Sequence, residues 1–122
     1  MTDIRSLEPK AVFQSFADLN EVPRCSNQEE QISNWIKAFG EKLGLETIQD
    51  HVGNVIIRKP ASVGKEALPG VTIQAHMDMV CMKDEDSLHN FSCDPIDMIV
   101  EGDWITANKT TLGADDGIGV AM

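Results

Sequence analysis

The hydrophobic pattern of the chain changes from a helical period to a strand-like period near Gly44, and this change limits the possible folds most. Upstream of Gly44, apolar spacing predicts a first helix over residues 6–20 with Ser6 as its cap. A second helix is predicted to start at the capping box Ser26-x-x-Glu29 and to end at Gly44. The apolar face of this second helix comprises Ile32, Trp35, Ile36, Phe39 and Leu43.

Downstream of Gly44, short runs rich in β-branched residues predict strands instead of helices. A turn over residues 110–117 then leads into a helix that starts at Ile118. Helices, strands and a loop that opens a further helix predict an α/β domain. Because that last helix reaches Met122 without a cap, we expect an N-terminal piece of a longer polypeptide; a short protein with a frayed tail is the alternative. The predicted strands are 45–49, 55–58, 71–75, 96–100 and 104–107.

Charge and composition exclude several classes of partner. The 122 residues contain 10 Lys plus Arg against 20 Asp plus Glu, a formal net charge of −10. We therefore expect no nucleic-acid partner and no anionic membrane surface, because both require clustered cations. No apolar run approaches the ~18 residues of a membrane span, and the N-terminus does not resemble a secretory signal. Cys25, Cys81 and Cys93 are accordingly expected to be reduced thiols in a cytoplasmic protein; a disulfide scaffold is the alternative.

The first chemical candidate is the pair His76 and Asp78, which directly follows the predicted strand 71–75. Residues i and i+2 of a strand point the same way, so the carboxylate can accept the second N–H of the imidazole. That contact fixes the tautomer and raises the basicity of the nitrogen that faces a metal. A hydrogen-bonded structural histidine is the alternative interpretation.

The second candidate is the segment Gly113-Ala114-Asp115-Asp116-Gly117. Adjacent carboxylates are costly unless a cation lies nearby, although an acidic turn that caps the following helix would also explain them. With His76, the segment suits Zn²⁺, or Co²⁺ or Mn²⁺ in its place. One bridging carboxylate can hold two metals about 3.5–4 Å apart. His76 and Asp115 are nevertheless only part of a ligand set.

Segments spread along the whole chain together match a known family. They are Pro23-Arg24-Cys25-Ser26, Asp50-His51-Val52-Gly53-Asn54-Val55, Gln74-Ala75-His76-Met77-Asp78-Met79-Val80, Gly102-Asp103-Trp104-Ile105-Thr106-Ala107 and Thr110-Thr111-Leu112-Gly113-Ala114-Asp115-Asp116-Gly117-Ile118-Gly119. In this order they resemble the N-terminal part of the aminoacyl-histidine dipeptidases, in the co-catalytic zinc peptidase family. The resemblance implies an α/β/α sandwich with a central mixed sheet flanked by helices. Residues 1–122 would be the N-terminal portion of its catalytic domain, and the lid or dimerisation domain would be absent.

The resemblance also implies roles for individual residues. His76 would be a zinc ligand, Asp78 the catalytic-site carboxylate that orients it, and Asp115 the aspartate that bridges two zinc ions. The peptide between Asp115 and Asp116 would often be cis, and Asp116 is not assigned as a ligand. The whole protein would be a homodimeric enzyme that hydrolyses dipeptides with a C-terminal histidine, using a glutamate farther along the chain as general base. The alternative is a non-catalytic fragment or interaction module.

Overall fold

The computed structural model describes residues 2–122, which contain three α-helices and four β-strands. A short 3₁₀ turn at Ile4–Ser6 precedes the first helix. None of these helices is long and apolar enough to cross a membrane. In chain order the elements are α1 (Lys10–Leu19), α2 (Glu30–Lys42), β1 (Glu46–Gln49), β2 (Val55–Arg58), β3 (Met98–Glu101), β4 (Trp104–Ala107) and α3 (Ala114–Ala121).

The predicted start of the first helix at Ser6 is wrong. The 3₁₀ turn is capped by Asp3, whose Oδ1 accepts the backbone N–H of Arg5 at 3.0 Å. Helix α1 then begins separately at Lys10, after Pro9. The physical reason is that Leu7 and Pro9 adopt extended backbone angles, so the chain leaves the 3₁₀ turn before α1 begins. The residue before a proline also disfavours the helical conformation.

The capping box predicted for α2 is also wrong, although the helix itself is present. Glu29 precedes the helix without a side-chain cap, and its carboxylate accepts the backbone N–H of Asn27 at 2.7 Å. The hydroxyl of Ser26 bonds to Asp78 instead. The helix ends as predicted, because Gly44 adopts a left-handed φ of 71°.

Four of the five predicted strands form, and they pair as two hairpins. Strands β1 and β2 pair antiparallel with Thr47 opposite Ile57, and β3 pairs with β4 with Val100 opposite Ile105. The β1–β2 turn is held by Asp50, whose Oδ1 accepts the backbone N–H groups of residues 52 and 54 at 3.0 and 2.8 Å.

The strand predicted over residues 71–75 is wrong, because this segment has no regular structure. Val71 and Ile73 are 87% and 89% exposed. A strand requires a neighbour to accept and donate its ladder bonds. Within residues 2–122, the strands form two separate antiparallel pairs, and neither pair adjoins this segment. A single mixed sheet is therefore not assembled within the described part of the chain.

The core lies where α1 packs between the 3₁₀ turn and α3. Its buried side chains include Phe16 and Leu19 from α1 and Ile32 from α2. Of the predicted apolar face of α2, only Ile32 is fully buried, whereas Phe39 and Leu43 are exposed. Because α3 lies against α1, the loop that precedes α3 is brought next to the segment after Ala75.

The thiols of Cys25 and Cys81 are joined in a disulfide, so the expectation of three reduced cysteines is wrong. The bridge spans a sequence separation of 56 residues. Cys25 lies beside Met79 in an isolated parallel β-bridge, which brings its side chain within reach of Cys81. Cys93 remains a free, exposed thiol.

Candidate metal centre

His76 and Asp78 form the first half of the candidate site. The Nδ1 atom of His76 lies 3.0 Å from Oδ1 of Asp78, the contact expected of a carboxylate that orients an imidazole. The other carboxylate oxygen, Oδ2, accepts the hydroxyl of Ser26 at 2.5 Å. The bond from Ser26 is the main cause that lowers the pKa of Asp78, and the nearby His76 lowers it further. Asp78 is therefore an ionised acceptor at neutral pH.

Asp115 faces the opposite edge of the same imidazole. The Nε2 atom of His76 lies 3.0 Å from Oδ1 of Asp115. Partial burial lowers the pKa of His76, but its contacts with Asp115 and Asp78 together raise it above its usual value. A metal at Nε2 would have to displace a proton that these carboxylates stabilise.

The local backbone aims the Asp115 side chain toward His76. Gly113 has a left-handed φ of 76°, which turns the chain into α3. Asp115 and Asp116 have non-helical dihedral angles, and the peptide between them is cis, as the resemblance implied. The Asp116 carboxylate instead lies against Gly119, one turn along α3, and does not join His76.

The donor set fits two ligands of a zinc site. Two ligands on a tetrahedral zinc ion are about 3.4 Å apart for typical Zn–N and Zn–O bond lengths, close to the 3.0 Å between Nε2 and Oδ1. No group of three or more His, Cys, Asp or Glu side chains within residues 2–122 is arranged to hold a metal. The side chains of His76 and Asp115 are 49% and 96% exposed, so both are accessible to further ligands.

A third feature of the site is not predicted from sequence: the segment Arg24–Ser26 is hydrogen-bonded to the backbone next to Asp78. The backbone of Arg24 accepts the N–H of Met79 at 2.9 Å, and the N–H of Ser26 bonds to the carbonyl of Met79 at 3.0 Å. The side chain of Arg24 is buried and reaches both halves of the site. The sequence signal for this segment is Pro23-Arg24-Cys25-Ser26, which contributes to the resemblance but implies no role for Arg24.

The other two histidines and the acidic segment at residues 84–86 lie outside this centre. His51 is exposed on the β1–β2 turn. His89 packs edge-on against Phe91, with ring centroids 4.5 Å apart. In the loop that contains Asp84, Glu85 and Asp86, the Asp86 carboxylate pairs with Lys109.

Comparisons with known proteins show similarity to peptidases. The chain is 41% identical to the cytosol non-specific dipeptidase of Escherichia coli K12 over 121 residues, covering 99% of this chain and 25% of that protein. The crystal structure of an aminoacylhistidine dipeptidase from Vibrio alginolyticus matches with a TM-score of 0.94 and 42% identity, over 98% of this chain and 24% of that one. A tripeptidase structure from Staphylococcus aureus matches with a TM-score of 0.73, 22% identity and 94% and 30% coverage, which shows a shared fold. No family model matches the chain.

These comparisons confirm the α/β class and the resemblance to the N-terminal part of aminoacyl-histidine dipeptidases. The chain spans about a quarter of the length of the curated relative and of the Vibrio structure. Segment 71–75 is apolar and exposed, and no strand pairs with it among the described residues. This is consistent with the partial coverage of the relatives.

Proposed function

We propose that the whole protein is a zinc-dependent dipeptidase and that residues 2–122 contribute two of its metal ligands. His76 and Asp115 would be the ligands, and two zinc ions would occupy the completed site, with Co²⁺ or Mn²⁺ as substitutes. The observation that carries the proposal is one imidazole placed between two carboxylates, with Asp78 at Nδ1 and Asp115 at Nε2. The similarity to dipeptidases supports the reaction class.

Each of the three side chains would have a distinct task. Asp78 accepts the Nδ1 proton of His76, which leaves the lone pair of Nε2 free to bind a cation. Asp115 has two oxygens on an exposed carboxylate, so it can contact two cations at once. When bound, zinc would polarise the scissile carbonyl and lower the pKa of an attacking water. The general base would be a glutamate outside this chain, as the resemblance implies.

The proposed substrates are dipeptides with a C-terminal histidine. This preference rests on the name of the Vibrio structure, whereas the E. coli relative is named non-specific. A homodimer and a cytoplasmic location are also proposed for the whole protein, the latter supported by the name of the curated relative. Hydrolysis by the whole protein of paired dipeptides that differ only in a C-terminal histidine tests the preference. Equal rates for both members of each pair would contradict it.

A second candidate function is a non-catalytic module formed by this chain. The observation that favours it is that, within residues 2–122, no third metal-binding side chain joins His76 and Asp115. Chelator-sensitive dipeptide hydrolysis by the purified 122-residue chain would exclude this candidate.

Calorimetric zinc titration tests the proposed ligands. We expect zinc binding by the chain to be abolished in His76→Ala and Asp115→Ala. His51→Ala is the matched control, because His51 is exposed on a turn away from the site. Equal zinc affinity in His76→Ala and His51→Ala would remove His76 from the proposed ligand set. In the whole protein, His76→Ala should also abolish dipeptide hydrolysis.

A further inference from the structure

Arg24 connects the two segments that carry the candidate ligands. Its guanidinium is buried, and the residue is 2% exposed. Nη1 donates to the carbonyl of Met77 at 3.3 Å, and Nη2 donates to the carbonyl of Gly113 at 2.7 Å. Met77 lies between His76 and Asp78, and Gly113 lies two residues before Asp115. One rigid planar group therefore bonds to the backbone on both sides of the His76–Asp115 contact.

We propose that Arg24 is a positioning residue that sets the separation between Nε2 of His76 and Oδ1 of Asp115. The geometric part of this inference stands on the contacts above. Its importance for catalysis rests on the proposed function.

The surroundings of Arg24 are built to hold its guanidinium in one place. Asn20 accepts a second hydrogen bond from Nη2 at 2.7 Å, and its own amide donates to the carbonyl of Leu112 at 3.2 Å. Both hydrogens of Nη2 are thus directed, one to Asn20 and one to Gly113. Because the acceptors are fixed by α1 and by the loop before α3, rotation of the guanidinium would break at least one bond.

Two glycines of the Gly-Ala-Asp-Asp-Gly segment make room for this group. A Cβ atom at Gly113 would collide with Nη2 of Arg24, and one at Gly117 would lie 2.7 Å from the same atom. Gly117 is in α3 and has no positive φ, so turn geometry does not explain it. The close approach of Arg24, together with Phe16 at 2.9 Å, does explain it.

The burial of a cation here has a cost that the contacts must offset. Burial lowers the pKa of Arg24 to about 10, although Asp78 partly opposes this shift. Arg24 therefore remains charged at neutral pH, without a carboxylate in direct hydrogen-bond contact within residues 2–122. Lysine has one ammonium group and cannot reproduce the planar fork that reaches Met77 and Gly113 together.

The experiment follows the ring nitrogens of His76 by NMR in the metal-free chain at one fixed pH. Asp115→Ala defines the His76 spectrum without its Asp115 contact. We expect Arg24→Lys to move the Nε2 resonance most of the way from its wild-type position to that reference. Arg5→Lys is the matched control, because Arg5 pairs with Asp18 and Glu21 away from the site, and it should leave the His76 resonances unchanged.

Gly117→Ala provides a second variant if Arg24→Lys fails to fold. It keeps the guanidinium but displaces Nη2, so the same direction of change is expected. Wild-type His76 resonances in folded Arg24→Lys or Gly117→Ala chains would overturn the proposal. Identical spectra for the wild type and Asp115→Ala would also overturn it, because no His76–Asp115 contact would then exist. Since no zinc is present, failure here is separate from failure of the zinc titration.

Discussion

Removal of the Cys25–Cys81 disulfide is expected to lower the free energy of unfolding of this chain by about 4 kcal/mol. The bridge closes a loop with a sequence separation of 56 residues. The loop-entropy relation for a cross-link of this length gives about 4 kcal/mol at 25 °C. That is a large share of the 5–15 kcal/mol typical of a folded domain, so reduction should shift the unfolding midpoint markedly.

Reduction should change stability far more than structure. The backbone contacts of Arg24 and Ser26 with Met79 hold the two segments together independently of the sulfur atoms. The native state therefore keeps its geometry near Cys25, while the unfolded chain gains the freedom that the cross-link removed. The His76 resonances are accordingly expected to persist after reduction under conditions in which the chain stays folded.

The assay combines thiol titration with urea unfolding. Before reduction the folded chain should show one reactive thiol, Cys93, and after reduction and unfolding it should show three. Cys93→Ser is the control, because it removes the free thiol and should leave the urea midpoint unchanged. The double variant Cys25→Ser/Cys81→Ser should match the reduced chain. Three titratable thiols in a chain that was never reduced, or equal midpoints with and without reductant, would refute the reasoning.

Two further predictions concern the β1–β2 hairpin and its packing on α2. Gly40→Ala should lower the free energy of unfolding by about 1 kcal/mol or more, as measured by urea unfolding. The new Cβ would collide with Thr47 and lie 3.0 Å from Ile57, and this overpacking outweighs the gain in helix propensity. A stabilised variant would contradict this. Hydrogen bonds from Asn54 are the main cause that lowers the pKa of Asp50 in the folded chain. The ionised Asp50 therefore contributes to folding stability above its unfolded pKa of about 3.9, and this contribution is lost as the pH falls through the lower folded pKa. The wild type should therefore lose more stability than Asp50→Asn between pH 5 and pH 2 in urea unfolding, and parallel pH profiles would contradict the assignment.

Local patterns predicted the elements that local contacts stabilise. The two hairpins form at or within two residues of their predicted bounds, because their pairing partners are close along the chain. The prediction failed where the partner is distant or missing. Ser26 and Glu29 have the spacing of a capping box, but the Ser26 hydroxyl bonds to Asp78, 52 residues away. Residues 71–75 have strand composition, but no strand pairs with them within the described chain.

The same distinction applies to the candidate site. His76, Asp78 and Asp115 could be proposed from the sequence, because each stands in a short segment whose residue types suggest metal binding. The structure brings all three together, and their role as ligands and orienting group stays a prediction. Arg24 could not be assigned a role, because the two acceptors that connect it to the site lie 53 and 89 residues away. The Cys25–Cys81 pairing depends on the same long-range contact between Cys25 and Met79.

The candidate centre combines buried and hydrogen-bonded residues with solvent-exposed ones. Arg24 is buried, and the Asp78 carboxylate accepts a hydrogen bond from the hydroxyl of Ser26. The Asp115 side chain is exposed, and so are the apolar residues Val71 and Ile73, which precede His76 in the chain. Under the proposed function, further ligands would complete the site from the exposed side of Asp115, whose side chain is 96% accessible. The exposed Val71 and Ile73 would likewise gain strand neighbours there.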